Sequence, residues 1–123
     1  MKNFINQNLE EVLQTASEHL YPDKLGEAKV SINSTDCDGD TPLHVFIWGG
    51  ETEKSLLLID NGADINAVGD MGETPLHAAL RKKYMRVVKA LLKAGAQTNI
   101  VSEFRQSAID LAQESGINLG EIT

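Results

Sequence analysis

The chain has 123 residues, of which 41% are hydrophobic and only 5% aromatic, and its formal net charge is −7. This length suits one domain with an aliphatic core, and the negative charge disfavours binding to the phosphate backbone of nucleic acid. The single cysteine, Cys37, excludes an intramolecular disulfide, and no apolar run is long enough for a membrane span or a signal peptide. We therefore expect a soluble, cytoplasmic protein.

The first predicted element is an amphipathic helix near the N-terminus. Its apolar residues recur at helical spacing, and its acidic residues lie off that stripe. Pro22 is expected to end this helix, and the following stretch DKLGEA predicts a short second one. We assign residues 3–32 to an N-terminal capping unit. The apolar stripe consists of Ile5, Leu9, Val12, Leu13, Ala16 and Leu20.

The next stretch, DCDGDTPLH at residues 36–44, places three aspartates at alternate positions, like the start of a calcium loop. A helix–loop–helix calcium site needs glycine at its sixth position and a bidentate glutamate at its twelfth. Counted from Asp36, those positions hold Thr41 and Ile47. The segment therefore predicts no metal site. We also find no nucleophile beside a base and no phosphate-binding glycine loop, so we expect no catalytic residues and no cofactor.

The same motif returns further along the chain. DGDTPLHVF (38–46) aligns with MGETPLHAA (71–79), and NGADINA (61–67) aligns at the same shift with AGAQTNI (94–100). Beyond these, SAIDLA (107–112) keeps the apolar pattern but lacks the proline and the histidine. A period of about 33 residues with Thr-Pro-Leu-His is typical of ankyrin repeats, and the chain resembles that family over nearly its whole length.

The residues of this motif have structural roles of their own. A threonine hydroxyl can cap the start of a helix, and a proline suits the first turn, where its missing N–H costs nothing. The resemblance implies that each histidine hydrogen-bonds back to the threonine of its own motif. A second helix and a projecting, glycine-rich turn then follow in each copy. These structural motif residues are Thr41, Pro42, His44, Thr74, Pro75 and His77.

The resemblance implies an all-α ankyrin-repeat solenoid of about four helix–turn–helix units with projecting β-turn loops. A single unit cannot bury its apolar face alone, so neighbouring units must stack. We divide the single domain, residues 1–123, into the capping unit at 3–32, full repeats at 33–68 and 69–101, and a truncated repeat at 102–123.

The resemblance also implies a non-enzymatic protein that binds a partner through its concave face, made of the turn tips and the first helices. Outward-pointing acids on the turns, together with partly exposed Trp48, Met71 and Phe104, have the composition of a protein–protein hot spot. The alternative is that Trp48 folds into the core. The predicted partner-binding residues are Asp38, Asp40, Trp48, Asp70, Met71, Glu73, Arg81, Lys82 and Phe104.

The expected partner is another protein with a basic or mixed surface, and we expect the chain alone to be a monomer that binds no membrane and no small-molecule substrate. Two specific functions remain open: a bacterial immunity or antitoxin-type protein that neutralises a cognate toxin, and an adaptor or regulator of a host or signalling protein. The basic stretch RKKYMRVVKALLK is a competing candidate for nucleic-acid binding. We prefer to interpret it as a solvated face, because Arg86, Lys89 and Lys93 recur at helical spacing.

Overall fold

The computed structural model describes residues 9–22 and 29–122, the last two of them by their backbone alone. Within these ranges the regular structure is helical, without strands. None of the helices found there is long and apolar enough to cross a membrane. Two predictions, the stripe residue Ile5 and the helix at DKLGEA, lie outside the described residues.

The helices stack in two layers. The first helices of successive units, α3, α5 and α7, pack on one another, and the second helices α4 and α6 pack on each other beside them. This arrangement confirms the all-α solenoid expected from the repeat. The helices are α1 (Leu9–Gln14), α2 (Ser17–Leu20), α3 (Pro42–Trp48), α4 (Thr52–Asp60), α5 (Pro75–Lys82), α6 (Met85–Lys93), α7 (Ala108–Glu114) and α8 (Leu119–Ile122).

The start of each first helix is fixed by a capping box, a pair of reciprocal hydrogen bonds. The hydroxyl of the N-cap residue accepts the backbone N–H of the third helical residue, whose side chain accepts the backbone N–H of the N-cap. These bonds satisfy two amides that a helix start leaves unpaired. The third copy uses serine and aspartate in place of threonine and histidine. The pairs are Thr41 with His44, Thr74 with His77, and Ser107 with Asp110.

The two histidines also join each repeat to the next. The Nε2 of His44 donates to the backbone carbonyl of Glu73 at 3.0 Å, and the Nε2 of His77 donates to that of Gln106 at 2.9 Å. Each Nδ1 receives a backbone N–H at 3.1 Å, so the proton of the ring resides on Nε2. Burial lowers the pKa of His44. The neutral ring is therefore a structural bridge.

The core between the two layers is aliphatic, as the low aromatic content predicts. Leu43 and Leu76, at equivalent places in α3 and α5, are fully buried, and Phe46 is buried beside them. Burying each of these side chains stabilises the fold by about 1.5–3 kcal/mol. Other fully buried apolar side chains of the central repeats are Ile47, Leu58, Leu80, Val87, Val88 and Leu91.

The N-terminal unit differs from the prediction of one continuous helix, which is divided here into α1 and α2. At the break, the amides of Thr15 and Ala16 bond to the carbonyls of Val12 and Leu13, three residues back, at 3.1 and 3.0 Å. The Thr15 hydroxyl also donates to the Val12 carbonyl at 2.6 Å, and this local bond competes with regular α-helical pairing. The apolar residues Val12, Leu13, Ala16 and Leu20 are nevertheless buried.

Candidate functional site

Three hairpin turns project from the stack and form one border of the predicted surface. We call residues 36–40, 69–73 and 102–106 turns 1, 2 and 3. In each turn the N–H of the first residue donates to the carbonyl of the fifth, at 3.0, 2.9 and 2.9 Å respectively. The repeat period therefore reproduces the backbone of the turns as well as the helices.

The turns pack closely side by side, and this packing requires glycine at one position. A Cβ atom on Gly39 would lie 3.0 Å from the carbonyl oxygen of Val68, and one on Gly72 would lie 3.1 Å from the amide of Glu103. The amide of Glu103 also donates to the carbonyl of Met71 at 2.9 Å. The three turns therefore form a continuous ridge, which we call the turn ridge.

Two of the acids predicted to point outward instead bind within the protein. The Oδ1 of Asp40 accepts the N–H of Asp70 at 2.9 Å and so ties turn 1 to turn 2. Glu73, at the equivalent position of turn 2, is only 4% exposed. Its two carboxylate oxygens accept from Nε of Arg81 at 2.9 Å, and one also accepts from Nη2 at 2.6 Å. The predicted outward orientation is wrong for Asp40 and Glu73, because donors of neighbouring elements lie within their reach.

Arg81 continues this network into the last unit. Its Nη2 also donates to the Oε1 of Gln106 at 3.0 Å, and the amide nitrogen of Gln106 donates to Glu114 at 2.6 Å. The hydrogen bonds to Glu73 raise the pKa of the Arg81 guanidinium, which is therefore charged at every physiological pH. A chain of polar contacts thus runs from Glu73 in turn 2 through Arg81 in α5 and Gln106 in turn 3 to Glu114 in α7.

Both predicted aromatic residues lie against predicted cations. The guanidinium carbon of Arg81 is 5.3 Å from the ring centre of Phe104, and the Nζ of Lys82 is 5.5 Å from that of Trp48. These distances suit cation–π attraction. Trp48 is 39% exposed, so it lies at the surface and not in the core. The fold therefore brings Trp48, Lys82, Arg81 and Phe104 together in two aromatic–cation pairs.

Asp38 and Asp70 lie exposed at the tips of turns 1 and 2. Neither takes part in an ion pair within the described residues. Repulsion from Asp70 is the main cause that raises the pKa of Asp38, and desolvation and the neighbouring aspartates raise it further. The first two turn tips therefore present negative charge that no basic side chain of the described ranges neutralises.

The aspartate that opens DCDGDTPLH shapes turn 1. The Oδ1 of Asp36 accepts the backbone N–H groups of Asp38 and Asp40 at 2.9 and 3.0 Å. Within residues 9–22 and 29–120, no group of three or more His, Cys, Asp or Glu side chains is placed to hold a metal ion. The thiol of Cys37, the second residue of this turn, is free and exposed.

Sequence reasoning missed two apolar residues beside the turns. Val68 and Val101 are 54% and 61% exposed, immediately before turns 2 and 3. The signal was present in the sequence, because the repeat shift that aligns Met71 with Phe104 also aligns these two valines. Their exposure could not be derived from that spacing, since a β-branched residue at such a place can equally pack inward.

A family model described as ankyrin repeats, in three copies, matches residues 5–102. The match begins inside the predicted capping unit and extends to the start of turn 3, so it covers well over half of the chain. No curated protein matches the sequence.

Proposed function

Because the chain belongs to the ankyrin repeat family, whose members are generally non-enzymatic protein–protein interaction modules, we propose that it binds a partner protein through its concave face. The main support is the pair of aromatic–cation contacts, Trp48 with Lys82 and Arg81 with Phe104. Both aromatic rings are accessible, and each lies beside a charged group. Side chains held in this way lose little conformational entropy on binding, which favours affinity.

The expected partner has a basic or mixed surface. The unpaired carboxylates of Asp38 and Asp70 favour contact with basic groups, whereas Lys82 favours an acidic or aromatic one. An interface of standard size would bury about 1,600 Å² in total. Because charged rim residues affect association rates more than affinity, we expect the association rate to fall as salt concentration rises.

Within this function, the specific case we propose is an immunity or antitoxin-type protein that neutralises a basic toxin, and the alternative is an adaptor or regulator of a host or signalling protein. The support is the net charge of −7 together with the acidic turn tips. Co-expression with the product of an adjoining gene would test it. Restored growth of cells that this product otherwise kills supports the toxin case, and an adjoining gene without toxicity contradicts it.

The binding surface itself is tested by Trp48→Ala. We expect this change to weaken the partner complex by about 2 kcal/mol, as for an aromatic hot spot, with little loss of thermal stability because the ring is already partly exposed. The partner is first identified by affinity purification and cross-linking, and affinity is then measured by calorimetry with the purified pair. Ile109→Ala is the matched control, because this exposed apolar residue lines the cleft at the C-terminal end of the stack with Leu92 and Ile117 and not the concave face.

Two outcomes would contradict this assignment of the surface. One is that Trp48→Ala unfolds the protein while the affinity of each folded molecule is unchanged. The other is that Trp48→Ala and Ile109→Ala weaken the complex equally, which would mean that Trp48 has no special part in binding.

A further inference from the structure

Turns 2 and 3 are bordered by exposed apolar side chains that turn 1 lacks. The equivalent positions of turn 1 hold polar residues, Thr35 and Asp38. Single exposed apolar residues are common, but several grouped on neighbouring loops mark a contact surface. We call these side chains the apolar rows. The first row is Val68 with Val101, and the second is Met71, 47% exposed, with Phe104, 55% exposed.

The apolar rows lie side by side on one rigid support. The bond from the amide of Glu103 to the carbonyl of Met71 joins turns 2 and 3 directly. The ring of Phe104 is also held by Arg81. The guanidinium of Arg81 lies 5.3 Å from the ring centre and is itself fixed by the buried Glu73. Binding to such a surface requires little reordering of its side chains.

Met71 has a backbone conformation that is unfavourable for a residue with a bulky side chain. Its φ and ψ are 58° and 22°, in the left-handed region, where a bulky side chain is strained. The equivalent residues Asp38 and Phe104 have negative φ. Asparagine or glycine would adopt this conformation at lower cost. A strained residue whose apolar side chain faces solvent does not serve stability, which points to a role in binding.

The charge around the apolar rows determines which partner fits them. Asp70 immediately precedes Met71, and Glu103 immediately precedes Phe104, which is followed by the one exposed cation of turns 2 and 3, Arg105. Both acids are exposed, and neither belongs to an ion pair of the described part of the chain. Asp38 adds a third carboxylate close enough to Asp70 for the two to repel each other. Lysine or arginine in a partner would relieve this repulsion, whereas an acidic partner would increase it.

We propose that the apolar rows and the acids beside them bind a segment of the partner protein in which large apolar side chains are flanked by lysine or arginine. This inference rests on the proposed protein-binding function. It adds an apolar contact at turns 2 and 3 to the contact proposed at Trp48.

Three fluorescein-labelled peptides, measured by fluorescence anisotropy at about 0.15 M salt, test the partner chemistry. The first is Gly-Lys-Arg-Leu-Phe-Lys-Arg-Gly; the second replaces Leu-Phe with Ser-Ser; the third replaces each basic residue with glutamate. We expect the first to bind about tenfold more tightly than either control, the ratio that corresponds to about 1.4 kcal/mol. Amide chemical-shift changes should concentrate in residues 68–73 and 101–106.

Variants of the full chain test the location. Phe104→Ser and Val101→Ser should each weaken binding of the first peptide by about fivefold to tenfold. Ile109→Ser is the matched control, because Ile109 is similarly exposed at 42% but lines the cleft at the C-terminal end of the stack with Leu92 and Ile117, and it should leave binding unchanged. Met71→Asn should raise the melting temperature while weakening binding. A purely structural residue would not combine these two effects.

Several results would overturn the inference. They are equal binding of the first and second peptides, binding of the first peptide that Ile109→Ser weakens as much as Phe104→Ser, and no binding of the first peptide at millimolar concentration. A partner complex that Trp48→Ala weakens and Phe104→Ser does not would also overturn it, while leaving the proposed function intact. If no partner complex forms at all, the proposed function fails instead.

Discussion

The helix starts and the turns before them share one repeat period, but only the helix starts keep the same side-chain hydrogen bonds in every copy. All three capping boxes make the same pair of bonds, even where serine and aspartate replace threonine and histidine. The last residue of each turn behaves differently: Asp40 bonds to the next turn, Glu73 binds Arg81, and Gln106 accepts from Arg81 and donates to Glu114.

The physical cause of this difference is burial. A helix start inside the stack contains amides that must be paired, because an unpaired buried amide costs about 1–3 kcal/mol. Apart from the buried Glu73, a charged side chain on the turn ridge can exchange a protein partner for water, so its identity is free to vary. Changes at the helix starts should therefore destabilise the fold, whereas most changes in the turns should alter recognition and leave stability nearly constant.

The largest effect is expected for His77→Ala. This change removes the bonds of a buried ring to Thr74 and to the carbonyl of Gln106, and it leaves a cavity. We expect a loss of about 3 kcal/mol in the free energy of unfolding, measured by urea denaturation. Val101→Ala, just before turn 3, is the control and should change it by less than about 0.5 kcal/mol. Equal losses would remove the distinction between helix starts and turns.

Glu73→Gln tests the charged turn residue that is buried. The glutamine keeps the size of the side chain but loses the charge that holds Arg81, so we expect a loss of about 2 kcal/mol. This expected loss is smaller than the loss for a fully buried ion pair, because the Arg81 side chain is 30% exposed. Glu53→Gln breaks an ion pair with Arg86 in which both side chains are mainly exposed, and it should cost less than about 0.5 kcal/mol. A double-mutant cycle that finds no coupling between Glu73 and Arg81 would contradict the assignment.

Acid should weaken the helix start at His44. Burial lowers the pKa of this ring in the folded protein, below the value of 6.5 that it has when exposed. The unfolded chain therefore takes up the proton first, so this contribution to stability is complete above about pH 6.5 and is lost as the pH falls below it. Denaturation followed across this range should show a steeper decrease for the native protein than for His44→Gln. Parallel curves would show that His44 is not responsible.

The smallest effect is expected within turn 3. Arg105 has a φ of 62° at the position where turns 1 and 2 have glycines with φ of 89° and 72°. Arg105→Gly should therefore stabilise the protein by about 1 kcal/mol, measured as a rise in melting temperature. Gly62→Ala is the reverse test. Gly62 has a φ of 85°, and a Cβ atom added to it would meet no other atom within 4 Å, so backbone strain is the main expected effect. It should destabilise by a similar amount, and equal signs for the two changes would contradict the explanation by backbone strain.

Spacing and residue type were sufficient to predict the solenoid, the helix starts and the exposed aromatic residues. The repeat period specifies which segments stack, and Thr-Pro-Leu-His specifies where each first helix begins. Both signals are local and repeated. The break at Thr15 was not predictable in this way, because it depends on a hydroxyl–carbonyl bond that competes with a helix whose apolar pattern is continuous.

The candidate surface required the tertiary structure. Asp40 and Glu73 look like solvated turn acids in the sequence. Only the folded structure brings the amide of Asp70, in the next repeat, to Asp40 and the guanidinium of Arg81, in α5 of the same repeat, to Glu73. The pairing of Trp48 with Lys82 likewise joins residues of two repeats. The sequence by itself determined which residues form the scaffold, since the two residues of each capping box lie three positions apart in the chain. The packing of the turns on the helices and of one repeat on the next decided which charges are paired and which remain exposed for a partner, because those contacts depend on distances in the folded chain that no local pattern encodes.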